Sequence, residues 1–222
     1  MANILEKTPE SIPLLNKAKA IILGGAPISP KLEQALQIIT APVYHTFGMT
    51  ETVSHIALKR LNGSEKRDYF ECLEGNTVSM DSRECLVIHS PLLDSKLVTN
   101  DQVELIDNTK FVWLGRADNV INSGGLKFQL EKVESSAEIA LFGLREHYRS
   151  VAIGIPDEKL GERLELVIES VPFPTEKSEN LLKVLSEVLE KYELPKAIRF
   201  LTRFPETESG KIDRSKIKEL VS

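Results

Sequence analysis

Near the end of the chain, Pro205-Glu206-Thr207-Glu208-Ser209-Gly210-Lys211-Ile212-Asp213-Arg214 puts a lysine on a short Ser-Gly loop, just ahead of a terminal helix that Asp213 caps. Such a lysine is either a solvated surface charge or, on a segment that can swing, a point charge for a reacting phosphate and carboxylate. Phe47-Gly48-Met49-Thr50-Glu51 gathers an aromatic face, a hydroxyl able to reach a phosphate and a carboxylate able to hold Mg²⁺ on one loop. Those three groups suit a nucleotide, and the plainer alternative is a surface loop with a buried phenylalanine and a solvated glutamate. Gly24-Gly25-Ala26-Pro27 is a tight turn after an apolar run. Its missing side chains would also let a flat ring such as adenine lie on the backbone.

Gly115-Arg116-Ala117-Asp118-Asn119-Val120-Ile121-Asn122-Ser123-Gly124-Gly125 has an odd composition for a core strand. It is a polar hairpin, or it carries three functions. Arg116 can donate paired hydrogen bonds to ribose hydroxyls, Asp118 can act as a pivot, and Ser123-Gly124-Gly125 lets backbone approach a ligand. The basic pairs Lys59-Arg60 and Lys66-Arg67 read as solvated surface charge. Four histidines show no metal-ligand spacing, and only His45 stands where it could line a pocket. Cys72 and Cys85 read as free thiols, with neither metal spacing nor a disulfide framework around them.

These residues need a scaffold of two kinds. Ala20 to Leu23 reads as a strand, followed by the glycine turn and a helix with Leu32, Ala35, Leu36 and Ile39 on one face. Another strand begins at Pro42 to His45 and delivers the chain into the Phe47–Glu51 loop. From Thr77 to Trp113, short β-rich runs separated by turn residues predict a small antiparallel sheet. The segment from Gly115 to Gly125 reads as a flexible junction. Beyond it the pattern predicts a helix near Leu130–Leu141, strands at Val151–Ile155, Leu164–Glu169 and Ala197–Leu201, and a long amphipathic helix from Ser178 to Tyr192. The expected division is residues 1–117, with an α/β layer over 1–60 and a β-subdomain over 77–114, followed by a compact α+β lid over 118–222.

Of 222 residues, 41% are hydrophobic and 27% charged, as in a soluble globular protein, and no apolar run is long enough to span a bilayer. Met1 to Lys19 lacks the pattern of a secretory signal, so a cytoplasmic location is expected. A net charge of −5 without a long basic block argues against nucleic acid and for small-molecule partners.

In this order and at this separation, the segments resemble the adenylate-forming superfamily of acyl-CoA synthetases, peptide-synthetase adenylation domains and firefly luciferase. The resemblance implies ATP, Mg²⁺ and coenzyme A as ligands and a carboxylic acid as substrate. The acid is adenylated with release of pyrophosphate, the lid rotates, and the thiol of coenzyme A then displaces AMP. It puts adenine against Gly24, Gly25, Ala26 and Phe47, with Gly48 also cofactor-binding, phosphate on Thr50, Mg²⁺ on Glu51, and ribose on Asp101 and Arg116. Asp118 becomes the hinge, Lys211 the adenylation-step lysine, and Ser123, Gly124 and Gly125 the lining of the pantetheine tunnel. Asp101 stands in Thr99-Asn100-Asp101, where the family has Thr-Gly-Asp.

The run from Phe47 to Leu61 and that from Asn119 to Gly125 are most similar to the bacterial o-succinylbenzoate-CoA ligases of menaquinone biosynthesis. Nothing here matches the family's upstream Ser/Thr/Gly-rich phosphate loop. A fragment with weak activity is therefore expected, its apolar surface around Ala20–Leu23 exposed or used in self-association or with a missing N-terminal portion. The alternative is a non-catalytic nucleotide-binding or interaction module derived from such a ligase.

Overall fold

The structure is a computed structural model and describes residues 5, 8–25, 28–143, 148–208 and 210–221; Ala26 and Ser209 lie outside the described residues. The chain divides into two compact units, Met1–Asp118 and Asn119–Ser222. No helix among the described residues is long and apolar enough to cross a membrane.

Among its described residues the first unit contains the short helices α1 (Ile12–Leu15) and α2 (Pro30–Ala35) and eight strands. These are β1 (Ile21–Leu23), β2 (Val43–Gly48), β3 (His55–Arg60), β4 (Phe70–Cys72), β5 (Thr77–Met80), β6 (Cys85–His89), β7 (Leu97–Leu105) and β8 (Lys110–Arg116). They form one sheet in the order β1-β2-β3-β4-β8-β7-β6-β5. Among the described residues of this sheet only β1 and β2 pair in parallel, because α2 supplies the crossover that a parallel pair needs. That helix starts where its sequence says: Pro30 occupies the first turn, and the Ser29 hydroxyl accepts the Leu32 N–H at 3.2 Å.

The expected α/β layer and β-subdomain are thus one hydrogen-bonded sheet, joined through β4, which pairs β3 on one side and β8 on the other. Its three residues are too few to leave a periodic signal. The packing still separates into two cores. Leu36, Ile39, Val43 and Leu61 cluster around the parallel pair, whereas Ile56, Phe70, Leu86, Ile88, Val103 and Phe111 cluster under the antiparallel strands. Phe47 and Gly48, expected on a loop, are the last two residues of β2, and a single 3₁₀ turn over Thr50–Thr52 follows.

The second unit runs β9 (Val120–Ser123), β10 (Leu126–Gln129), α3 (Leu130–Gly143), β11 (Ser150–Asp157), β12 (Gly161–Glu169), α4 (Thr175–Ser186), β13 (Ala197–Leu201) and α5 (Arg214–Val221). Its sheet has the order β10-β9-β12-β11, with β13 parallel to β12. The alternation along β12 assigns the two faces. Leu164, Leu166 and Ile168 pack against Val133, Ala137 and Leu141 of α3 and Leu181 and Leu185 of α4. Val167, with Val151, Ile153 and Ile155 of β11, packs against Phe204 and Ile217 of α5.

Two expectations change here. The stretch from Gly115 to Gly125 is not an irregular junction: it comprises the end of β8, a 3₁₀ turn over Ala117–Asn119, β9 and a tight turn. The long helix begins at Thr175 and stops at Ser186, although the apolar stripe continues in sequence to Tyr192. It stops because Glu193 is buried under Lys132, whose ammonium lies 2.6 and 2.8 Å from its two oxygens, and also accepts the Glu190 N–H at 3.0 Å. That geometry turns the chain, so Leu189 stays buried while Val188 and Tyr192 face solvent.

Leu166 is fully buried between α3 and α4 at the centre of this core. Leu166→Ala is expected to cost about 2–5 kcal/mol, read as a lowered urea midpoint with an unchanged slope.

Candidate active site

In the first unit the parallel register sets Leu23 beside His45, so Gly24-Gly25 leaves the carboxyl end of β1 next to Thr46 and Phe47. In open α/β sheets ligands bind in the crevice beyond such strand ends. The approach is close: the Thr46 hydroxyl donates to Leu23 O at 3.3 Å, and a Cβ on Gly24 would lie 2.3 Å from that oxygen. Gly25 is a glycine for another reason, its φ of +85°. Among the described residues nothing lies within 4 Å of a Cβ built there, which leaves space beside its backbone for a ligand. His45 tilts against Phe70 at 5.2 Å, and the Phe47 ring packs edge-on against Phe70 and Phe111 at 5.6 and 5.1 Å. The aromatic residue of this motif is therefore anchored in the core beneath β2.

Beyond it, Thr50 and Glu51 stand exposed on their 3₁₀ turn. Among the described residues, no three His, Cys, Asp or Glu side chains are grouped to hold a metal ion by themselves. A lone exposed carboxylate does fit Mg²⁺, which usually keeps several waters and is held by one or two carboxylates plus phosphate oxygens.

Asp101 and Arg116, fifteen residues apart in sequence, are direct cross-strand partners on β7 and β8. Asp101 is only 8% exposed. Its carboxylate accepts the Trp113 indole N–H at 2.9 Å, and its backbone N–H donates to the Thr99 hydroxyl at 3.0 Å. The Arg116 guanidinium donates twice to Asp118, at 2.9 and 2.9 Å, so the candidate ribose donor and the candidate hinge are partners of each other. Both side chains are largely exposed, which makes this pair weak and open to exchange for a ligand. β3 and β4 separate β2 from β8, so the register does not bring Asp101 and Arg116 to the glycine turn. Burial pushes the Cys72 thiol up to about 11 and raises Cys85 as well, which leaves both protonated near neutral pH.

In the second unit Ser123 pairs with Leu126, leaving Gly124-Gly125 as a two-residue hairpin turn. Both glycines have positive φ, +63° and +84°, the pattern of a type I′ turn. The Gly124 N–H donates to Leu160 O at 2.8 Å, while an added Cβ on Gly125 would meet nothing within 4 Å among the described residues.

Lys211 is exposed on a second small hairpin, closed by an antiparallel bridge between Glu206 and Ile212. The Thr207 N–H donates to Lys211 O at 2.8 Å, and the Lys211 N–H donates to the Thr207 hydroxyl at 3.2 Å. Gly210 takes the positive φ, +74°. Each flank is clamped by an arginine. Arg149 donates twice to Glu169 at 2.6 Å and once to Glu206 at 2.6 Å, and Glu169 also accepts the Phe204 N–H at 2.7 Å. On the other side Arg214 donates twice to Glu134, at 2.5 and 2.7 Å, and once to Ala152 O at 3.1 Å. Asp213 caps α5, accepting the Lys216 N–H at 3.0 Å. Arg149, Glu169, Glu134 and Arg214 do not stand out in the sequence, because each is paired with a residue distant along the chain.

Residues 137–211 match the AMP-binding enzyme C-terminal domain. The 2-succinylbenzoate–CoA ligase of Lactococcus lactis is 27% identical over 221 residues, covering 91% of this chain and 47% of its own length. That of Listeria monocytogenes serotype 4b is 28% identical over 90% of this chain and 46% of its own. Among solved structures, an acyl-CoA synthetase (AMP-forming)/AMP-acid ligase II-like protein from Dyadobacter fermentans is 35% identical, with a TM-score of 0.52, over 100% of this chain and 63% of that one. The o-succinylbenzoate-CoA synthetase of Bacillus subtilis, in complex with its acyl-adenylate intermediate, shares the fold with a TM-score of 0.75 at 24% identity, over 98% of this chain and 49% of that chain.

Over nearly its whole length the chain is similar to members of the adenylate-forming acyl-CoA synthetase superfamily, and residues 137–211 match the C-terminal domain of AMP-binding enzymes. Within that superfamily, relatives that align over about nine-tenths of the chain are bacterial 2-succinylbenzoate–CoA ligases, and the chain spans about half their length.

The two hydrogen bonds from Arg149 hold the Glu169 carboxyl below its ordinary value of 4.5. A depressed folded value adds stability that is present above the unfolded value and is lost as pH falls through the folded one. Glu169→Gln is therefore expected to flatten the fall in melting temperature below about pH 4.5 relative to the parent.

Proposed function

We propose that the chain performs the chemistry of an AMP-forming acid–CoA ligase. The observation that carries this reading is the convergence, at the carboxyl end of β1, of an open glycine backbone with the strand that runs into Thr50 and Glu51. A flat base fits the Gly24-Gly25 backbone, and the Thr50 hydroxyl and Glu51 carboxylate suit phosphate and its Mg²⁺. When bound, Mg²⁺ supplies neutralising charge to the phosphates.

In the first step a carboxylate oxygen of the acid bonds to the α-phosphorus of ATP and the bond to pyrophosphate breaks. Thr50 donates to a phosphate oxygen, and the Lys211 ammonium offsets negative charge between the two reacting anions. Asp101 and Arg116 hold the ribose hydroxyls, for which Arg116 exchanges its Asp118 partner. In the second step the thiol of coenzyme A gives up its proton, sulfur bonds to the acyl carbon, and AMP leaves with the electron pair. Ser123, Gly124 and Gly125 border the path of its pantetheine arm. The acid we favour is o-succinylbenzoate, converted to its CoA thioester as in menaquinone biosynthesis. This rests on relatives named for that reaction that align over about nine-tenths of the chain.

The test is to incubate the chain with ATP, Mg²⁺, o-succinylbenzoate and coenzyme A and to measure acyl-adenylate and thioester by mass spectrometry. The expected result is both products from the parent chain. Lys211→Ala should lower adenylate formation by about 10²-fold or more while thioester formation from supplied acyl-adenylate persists. A folded parent chain that binds AMP but yields neither product would establish a binding module instead.

A further inference from the structure

Val53 has a φ of 65° and a ψ of −43°, a conformation that β-branched residues rarely adopt. The Ser54 N–H donates back to Thr52 O at 2.6 Å, which makes Val53 the centre of a γ-turn of the rare positive-φ kind. Its side chain is 80% exposed, so no packing of its own compensates the strain. Strain of this kind persists only where the surroundings over-determine it, and it clusters at functional sites.

The surroundings here are one buried hydroxyl and one absent side chain. Thr52 is 2% exposed. Its hydroxyl accepts the Met49 N–H at 3.0 Å and faces two carbonyls, Ser54 O at 2.7 Å and Met49 O at 2.9 Å. A hydroxyl has a single proton to donate, and the shorter contact is the one across the γ-turn. On the other side Gly48 pairs with His55, and a Cβ there would lie 2.5 Å from both the His55 Cα and Ser54 O. Met49 to Ser54 is therefore a closed loop whose two ends meet on the Thr52 hydroxyl. Thr50 and Glu51 project from the middle of it.

We infer that Thr52 is the positioning residue for Thr50 and Glu51, and that the Val53 γ-turn is the geometry its hydroxyl enforces to aim them at phosphate and Mg²⁺. The inference rests on the nucleotide reading above for what is aimed at, but not for the positioning itself.

Thr52→Val removes the hydroxyl at nearly constant shape, and Thr52→Ser keeps it. Two measurements on the full chain separate the possibilities: amide hydrogen exchange across residues 48–55, and the affinity for ATP with and without Mg²⁺. Thr52→Val is expected to speed exchange of the Thr52 and Ser54 amides by about tenfold or more, with β2 and β3 unaltered. It is expected to lower the Mg²⁺-free ATP affinity, through Thr50, and to abolish the further gain that Mg²⁺ brings, through Glu51, and Thr52→Ser is expected to restore both. A folded Thr52→Val protein with parental exchange, or with faster exchange and an intact Mg²⁺ effect, overturns the inference. If the parent chain binds no ATP, the nucleotide reading fails by itself, and the exchange result alone decides the positioning claim.

Discussion

The structure around the candidate nucleotide site depends on contacts that leave no room for a side chain. At Gly24 the limiting neighbour is the Thr46 hydroxyl, and at Gly48 it is the backbone of Ser54 and His55. Any L-residue at Gly48 would push β2 and β3 apart at the point where their pairing closes, since Gly48 and His55 are the last partners of that ladder. The same closure fixes the loop that bears Thr50 and Glu51. One steric constraint thus sits where the β2–β3 register shifts, immediately before the strained turn and the two candidate catalytic groups.

The second unit reaches a comparable precision by charge instead. The Lys211 hairpin rests on the core through Ile212 and lies between two arginine–carboxylate clamps, Arg149 with Glu169 and Glu206, and Arg214 with Glu134. Planar guanidinium forks fix direction as well as distance, which suits a segment that must present one ammonium in one place. Glu134 also takes the Ala152 N–H while Arg214 takes the Ala152 carbonyl, so the pair caps backbone groups of an edge strand.

Much of the fold is legible in the sequence. Runs such as Cys85–Ile88 and Leu164–Glu169, and the helical spacing from Leu130 to Leu141, lie on β6, β12 and α3, because burial on one or both faces imposes a period. β4 is invisible because Phe70-Glu71-Cys72 is not an apolar run, unlike the equally short Ile21-Ile22-Leu23 of β1. The stripe that continues through Val188 to Tyr192 overstates α4, because what stops that helix is a buried glutamate whose partner, Lys132, is 61 residues away. The site divides in the same way. Glycines that must be glycine and a lysine on a turn can be read from local chemistry. Thr52 cannot, since its role comes from burial, and neither can Arg214, whose partner Glu134 is 80 residues distant.

The central claim is that a nucleotide base lies on the glycine backbone of the first unit. The chain has twelve glycines, so ¹⁵N-glycine labelling gives a spectrum simple enough to follow residue by residue during titration with AMP. The account predicts saturable shifts at Gly24 and Gly25, with a smaller one at Gly48, and Gly63 and Gly75 unmoved. Saturable shifts confined to glycines elsewhere, or none at millimolar AMP, would contradict it.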